Sequence, residues 1–379
     1  MDNKVSVGHL PQKRFEKAAA PRIPLPDLIE PQRESYTWFI ETALKDIFKE
    51  FSPISDYSEK KFEMQFKKYE LGAPKYSPEF TKENKRTYEA PLRATVVLKN
   101  KTFDSEKVQE IFMTDIPVMT DNGTFIINGV ERVIVPQLAR SYGIFFTAQE
   151  SKGKTLFGAK IIPERGAWVE IESEADGVIY VKIDRKKKFP ISSLLRVLGV
   201  EKDEEMIKMF KKVERGGEYI KATLEKDPAK TVDDSYIEIY KRLRDGDLAT
   251  IDNAKEFVNS IFAEERYDLS EIGRHHFNSR FNLPTDAKAT AKRTVCIEDM
   301  QRILENIMVS NHDPAALPDD IDHLGFRRVR YFGEMLKQRV RVGMTRMKRN
   351  IQDRMSTIEA ETSLPMQIRI IKPSLAQEL

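Results

Sequence analysis

Apolar residues recur along this chain with two periods, and the changes of period mark its elements. From Pro31, apolar positions fall at Tyr36, Phe39, Ile40, Ala43, Leu44, Ile47, Phe48 and Phe51, the i, i+3, i+4, i+7 spacing of a helix with one buried face. Pro31 suits the first turn, where no backbone donor is needed. The pattern then becomes alternating, loosely over residues 57–69 and more clearly over 88–98, which predicts strands. Phe112-Met113 and residues 116–119 lead into the strongest local signal. Asp121-Asn122-Gly123 marks a turn, residues 124–127 a short β-branched and aromatic strand, and Asn128-Gly129 a two-residue hairpin. Residues 131–135 read as the return strand, closed by Pro136, which offers no donor to a ladder.

A second unit begins near Arg140. Residues 160–162, 168–171 and 178–183 alternate as strands, with turns at Arg165-Gly166 and Asp176-Gly177. Helical periodicity, or an acidic or Ser cap, follows over 192–198, 204–213, 234–243, 252–262 and 300–309. Within residues 326–355, Phe332, Met335, Leu336, Val340, Met344, Met347 and Ile351 form an apolar stripe at helical spacing. The order predicts an α+β fold of two mixed domains with antiparallel sheets and several helices. Residues 1–24 are polar, basic and proline-punctuated, and are expected to form an extended arm.

Composition narrows the class. The 379 residues suffice for two to three domains, and 40% hydrophobic with 32% charged residues describes a globular, highly charged protein. Cys296 is the only cysteine, which excludes an internal disulfide framework or a multi-thiolate zinc site and fits a reducing compartment. No signal-peptide core and no apolar run of spanning length is present, so a cytoplasmic protein without a membrane partner is expected.

The net charge of +3 is small, but the basic residues cluster. Lys182, Arg185, Lys186, Lys187 and Lys188 surround the lone Asp184. Across residues 326–355, ten Lys or Arg stand against Glu334 and Asp353, a local excess of about +8 that suits a phosphate-tracking surface as well as a solvated helix face.

Catalytic signals fail on inspection. Gly153-Lys154-Thr155 ends like a phosphate-binding loop, but Ala148 stands where that loop needs its first glycine. Asp245-Gly246-Asp247 could hold magnesium but reads better as a turn that caps the next helix. His275 and His276 are adjacent, so on a regular element they diverge and cannot share one ion. No catalytic constellation is left.

The string DNGTFIINGVERVIV, followed by QL, RS, G and FF at fixed spacing, resembles the N-terminal part of the β subunit of bacterial DNA-directed RNA polymerase. LIEPQRESYTWF, LGAPKYS, YEAPLRATV and MTDIPVMTDNGTFIING resemble its protrusion; FGAKIIPERGAWVE, VKIDRKKKFPISSLLRVLG, ERYDLSEIGRHHFN and DDIDHLGFRRVR resemble its lobe. The resemblance implies a first part of the protrusion at 25–138, the lobe at 139–330, and a return segment toward the protrusion at 331–379. The last residues resemble the stretch before a long continuation, so an N-terminal fragment, inactive alone, is expected.

Site residues follow from the same resemblance. Trp168 would stack on an unpaired base of the non-template strand, while Asp322, Arg327 and Arg140 would hold a single non-template guanine. Arg185, Lys186 and Lys187 would face downstream DNA. Arg132, Val135 and Gln137 resemble the N-terminal wall of the family's rifamycin pocket, although Pro136 and Ala139 depart from its commoner residues. The implied partners are the β′, α and σ subunits, template and non-template DNA, and nascent RNA. The magnesium of the enzyme would sit on β′, with no cofactor in this chain. The alternative is a self-standing nucleic-acid-binding scaffold module without catalysis.

Overall fold

The computed structural model describes residues 26–151, 153–214, 219–244 and 250–357. The expected arm, the Asp245-Gly246-Asp247 turn and the last 22 residues lie outside them. The chain divides into two compact units, residues 1–137 with 329–379, and residues 138–328.

In the first unit, Glu30–Trp38, a π-helical turn at Phe39–Ala43 and Leu44–Glu50 make one continuous helical stretch. Its apolar stripe buries Phe39, Ala43, Leu44, Ile47 and Phe48. An antiparallel meander follows, with Ile54–Ser55, Phe62–Leu71, Glu89–Asn100 and Ser105–Pro117 adjacent in sequence order. The fourth strand begins well before Phe112, where apolar residues first mark it, because its early residues are mostly exposed and carry no alternation. The long helix Phe332–Thr357 completes this core, placing Phe332, Leu336, Val340, Met344, Met347, Ile351 and Met355 against the first helix and the sheet. Gly333 permits that approach, since a Cβ there would stand 2.1 Å from the Ser35 carbonyl oxygen.

The Asn128-Gly129 hairpin forms between Phe125–Ile127 and Val130–Arg132, with φ of 53° and 79° at the two turn residues, as a type I′ turn requires. The return strand stops at Arg132 and does not reach Val135. Its partner supplies only three residues, so Val133, Ile134 and Val135 run on exposed and unladdered.

The second unit is built on a five-stranded antiparallel sheet in the order Phe189–Pro190, Ile179–Ile183, Val169–Ser173, Lys154–Ile162, Gly143–Ser151. Helices Ile191–Val197, Asp203–Phe210, Ile220–Lys226, Val232–Leu243, Ile251–Phe262, Ser270–Arg280 and Ile297–His312 supply the rest of its core. At the centre of the helical layer lies an ion pair, both side chains fully buried. Arg196 donates to the Asp227 carboxylate at 2.9 Å and to the Ala229 carbonyl at 2.8 Å, and Asp227 also accepts the hydroxyls of Ser192 and Ser193 and the Ala229 amide.

Asp227→Ala would leave the buried Arg196 with only the partly exposed Asp203, 2.5 Å away, and would strip the Ser192, Ser193 and Ala229 donors of their acceptor, so it should cost the second unit about 3–5 kcal/mol. Each unit holds one tryptophan, Trp38 and Trp168, so urea unfolding followed by Trp168 fluorescence in a Trp38→Phe background reads this loss directly. A smaller loss than that of a surface substitution would refute the central place given to the pair.

Asp56 gives a pH prediction for the first unit. Burial alone would raise its pKa, but the Ser58 hydroxyl and the amides of Phe62, Lys61 and Ser58 together outweigh burial and hold the carboxyl at about 2. The folded value lies below the unfolded value of about 3.9, so this stabilisation is full above that pH and lost as pH falls through about 2. Between these limits Asp56→Asn should lose less stability than the parent, measured by urea unfolding at stepped pH on Trp38 fluorescence.

Candidate nucleic-acid interface

The register of the five-stranded sheet decides which sequence-predicted residues can act together. Gly143 stands opposite Ile162, Ile161 opposite Val169, and Val169 opposite Ile183. One end of the sheet therefore holds the start of the first strand, the end of the second, the start of the third and the end of the fourth. Arg140 precedes Gly143 by three residues, Trp168 directly precedes Val169, and Arg185 follows Ile183 by two. All three come to this end, across a row of roughly 15 Å at the usual strand spacing.

Arg327 reaches the same place by a separate route. The Ser141 amide donates to the Phe326 carbonyl at 2.9 Å, which holds Arg140 and Arg327 on either side of one hydrogen bond. The Phe326 ring meets Phe145 edge-on at 5.7 Å. Five residues before Arg327 in the loop, Asp322 donates its amide to the Asp320 carboxylate at 3.0 Å and remains exposed. The loop's other end is anchored at Asp319, which accepts the Phe146 amide at 2.7 Å, donates its own amide to the Phe146 carbonyl at 2.9 Å and receives Arg280 at 2.8 Å. Residues 319–326 are thus tied at both ends to the first strand of the sheet.

Trp168 owes its position to the turn before it. Arg165 and Asp268 exchange backbone hydrogen bonds at 3.1 and 2.8 Å, and the Arg165 guanidinium donates to the Glu264 carbonyl at 3.0 Å. Gly166 has φ of +115°, and a Cβ there would stand 2.8 Å from the Tyr267 ring. The strand starts one residue after the tryptophan, whose half-buried indole has the Arg185 guanidinium 5.4 Å from its centroid.

The basic run divides by role. Lys182 pairs with Glu172 on the neighbouring strand at 2.7 Å, and Lys188 pairs with Glu174 while its ammonium lies 4.4 Å from the Tyr180 ring centroid. Arg185, Lys186 and Lys187 extend from the turn after Ile183 with exposed side chains. The basic helix is similarly divided: Arg341 bonds Glu50 at 2.5 Å and Lys337 lies 5.3 Å from the Trp38 ring centroid.

Arg132, Val135 and Gln137 belong to the other unit and lie exposed along one short segment, which Gln32 holds by donating to the Ile134 carbonyl at 2.9 Å. Gly153 and Lys154 sit at a hairpin, with Gly153 at φ of +77° and Lys154 paired to Ser151 in the ladder, so no helix begins there to receive a phosphate. His275 and His276 lie on the helix Ser270–Arg280 with ring centroids 6.3 Å apart, and the Ser141 hydroxyl lies 3.4 Å from His276 Nδ1. Among the described residues no three His, Cys, Asp or Glu side chains gather as metal ligands, and no helix is long and apolar enough to cross a membrane.

Sequence reasoning missed Asp319, the pairing of Arg165 with Asp268, and the Arg328–Tyr142 pair, in which the guanidinium covers the phenol ring at 4.2 Å and bonds its hydroxyl. Their contacts join residues distant in sequence, so no local pattern announces them.

Comparison with known proteins places the chain in a family. The family model of RNA polymerase Rpb2, domain 2, matches residues 140–330, about half of the chain. The chain is 38% identical over 400 residues to the DNA-directed RNA polymerase subunit beta of Chloroflexus aggregans, with 96% of the chain and 32% of that protein covered. Its identity to the corresponding subunit of Syntrophomonas wolfei is 40% over 358 residues, covering 93% of the chain and 31% of the relative. For Geobacillus thermodenitrificans the identity is 36% over 456 residues, covering 98% of the chain and 38% of the relative. The chain spans about a third of the length of these curated relatives. It belongs to the family of RNA polymerase Rpb2 and the bacterial β subunits.

Proposed function

We propose that the chain serves as part of the β subunit of a multisubunit DNA-dependent RNA polymerase, with the second unit as its lobe and the first as part of its protrusion. It would line the main DNA cleft, in assembly with β′, α and σ subunits, and leave nucleotidyl transfer to other parts of the enzyme. The observation that carries this reading is the convergence of Arg140, Trp168, Arg185 and Arg327 on one end of a single sheet.

The chemistry of the site suits an unpaired strand. An indole face accepts any base by stacking, without reading its edge. A flipped-out guanine presents two N–H groups that the exposed Asp322 carboxylate can accept, while the Arg140 and Arg327 guanidinium groups serve its acceptors and the neighbouring phosphates. Lys186 and Lys187 add positive charge beside the stack, where a duplex backbone would pass.

In the assembled enzyme, Trp168→Ala should weaken binding of a forked DNA by about 1–3 kcal/mol whatever the base at the fork. Asp322→Ala should instead abolish a preference of about 1–3 kcal/mol for guanine over other bases at one non-template position. Fluorescence anisotropy with forks that vary at that position separates the two. Unchanged affinity and base preference in both variants would overturn the assignment. Lys186→Ala should lower affinity evenly across sequences and reduce the slope of log affinity against log salt by about one, measured by titration of the same fork over a range of salt. A sequence-dependent loss would count against a phosphate contact.

A further inference from the structure

The contact between Arg185 and Trp168 is built into the backbone. The Asp184 amide donates to the Trp168 carbonyl at 2.8 Å, and the Lys186 amide donates to the Ile183 carbonyl at 3.0 Å. Between those bonds Asp184 and Arg185 have φ of 52° and 59°, so the turn runs through two left-handed residues, neither of them glycine. A conformation that costs a side chain-bearing residue of this kind persists only where its surroundings fix it. Here it directs the guanidinium over the indole, 5.4 Å from the ring centroid. Arg185 has no carboxylate partner within salt-bridge distance among the described residues, in contrast to Lys182 and Lys188 on either side, and its guanidinium lies over the ring instead. Trp168 in turn is half-buried and lies outside the buried apolar cluster of its unit.

We propose that Arg185 is the positioning residue of the stacking platform: its planar guanidinium lies on one face of the Trp168 indole, holds the ring in orientation, and leaves the other face for an unpaired base. This inference rests on the stacking role proposed for Trp168, and it gives Arg185 a task different from that of the adjacent lysines. A lysine at 185 would keep the charge for phosphate but lose the flat surface, since a guanidinium stacks on an aromatic face and an ammonium acts as a point charge. The sandwich also places a fixed positive charge beside the stacked nucleotide, within the reach of its phosphate.

The test has two parts that fail separately. In the 379-residue chain with Trp38→Phe, Arg185→Ala and Arg185→Lys should both increase acrylamide quenching of Trp168 fluorescence without DNA, because the ring loses its cover. Unchanged quenching in both variants would overturn the inference and leave the stacking role of Trp168 untouched. In the assembled enzyme, a forked DNA with 2-aminopurine at the unpaired position should show its emission quenched by stacking on Trp168. Both Arg185 variants should lose most of that quenching and bind about three- to tenfold more weakly, with Arg185→Lys retaining the parent's salt dependence and Arg185→Ala losing it. Full 2-aminopurine quenching in Arg185→Lys would refute the positioning role. Full quenching in Trp168→Ala would refute the underlying stacking role instead.

Discussion

The antiparallel register of the second unit's sheet is the constraint on which the site depends. Strand reversal brings alternate strand ends together, and fixing Gly143 against Ile162 and Val169 against Ile183 fixes which ends they are. A slip of one residue in any pair would also turn that strand's apolar residues away from the helical layer, so burial of Ile161, Val169, Ile171, Val181 and Ile183 protects the register. The backbone positions of the site residues are therefore enforced by the core beneath them, and contacts such as that of Arg185 with Trp168 act on the side chains that this frame presents.

Much of this was legible in the sequence, for reasons that differ from element to element. The first helix and the helix Phe332–Thr357 follow from apolar spacing, and the Asn128-Gly129 hairpin from a turn that favours those residues. Strand Gly143–Ser151 was not read, because a buried run followed by a polar half matches neither period. The return strand was read too long, because Val133, Ile134 and Val135 look like strand but meet no partner. For the site, Trp168, Asp322, Arg140 and Arg327 were named by resemblance, whereas the bonds that place them depend on Ser141, Asp319 and Arg165, whose partners lie far along the chain.

The basic run shows why charge counting alone misjudges a surface. Five cations within seven residues look equivalent in the sequence, but the side-chain alternation of the strand and the turn after it give them different neighbours. Lys182 meets Glu172 on the neighbouring strand and Lys188 meets Glu174 just beyond that strand, and pairing lowers the charge available to a polyanion. Lys186 and Lys187 project from the turn, and Arg185 bends back on the tryptophan. The effective patch is smaller and more directional than the formal charge suggests.

The first unit is discontinuous: the chain leaves it at Gln137 and returns at Val329, and its core is closed only by the helix Phe332–Thr357. On a ribosome this order becomes a schedule. Roughly 220 residues separate the last strand of the first segment from the end of the closing helix, which is about 10–40 s of synthesis at ordinary elongation rates. The second unit is synthesised within that interval and is finished first, while Phe62, Met64, Leu92 and Met113 in the first await Val340, Met344 and Met347. The nascent first unit therefore exposes apolar surface longest, and the second unit is an insert within its chain.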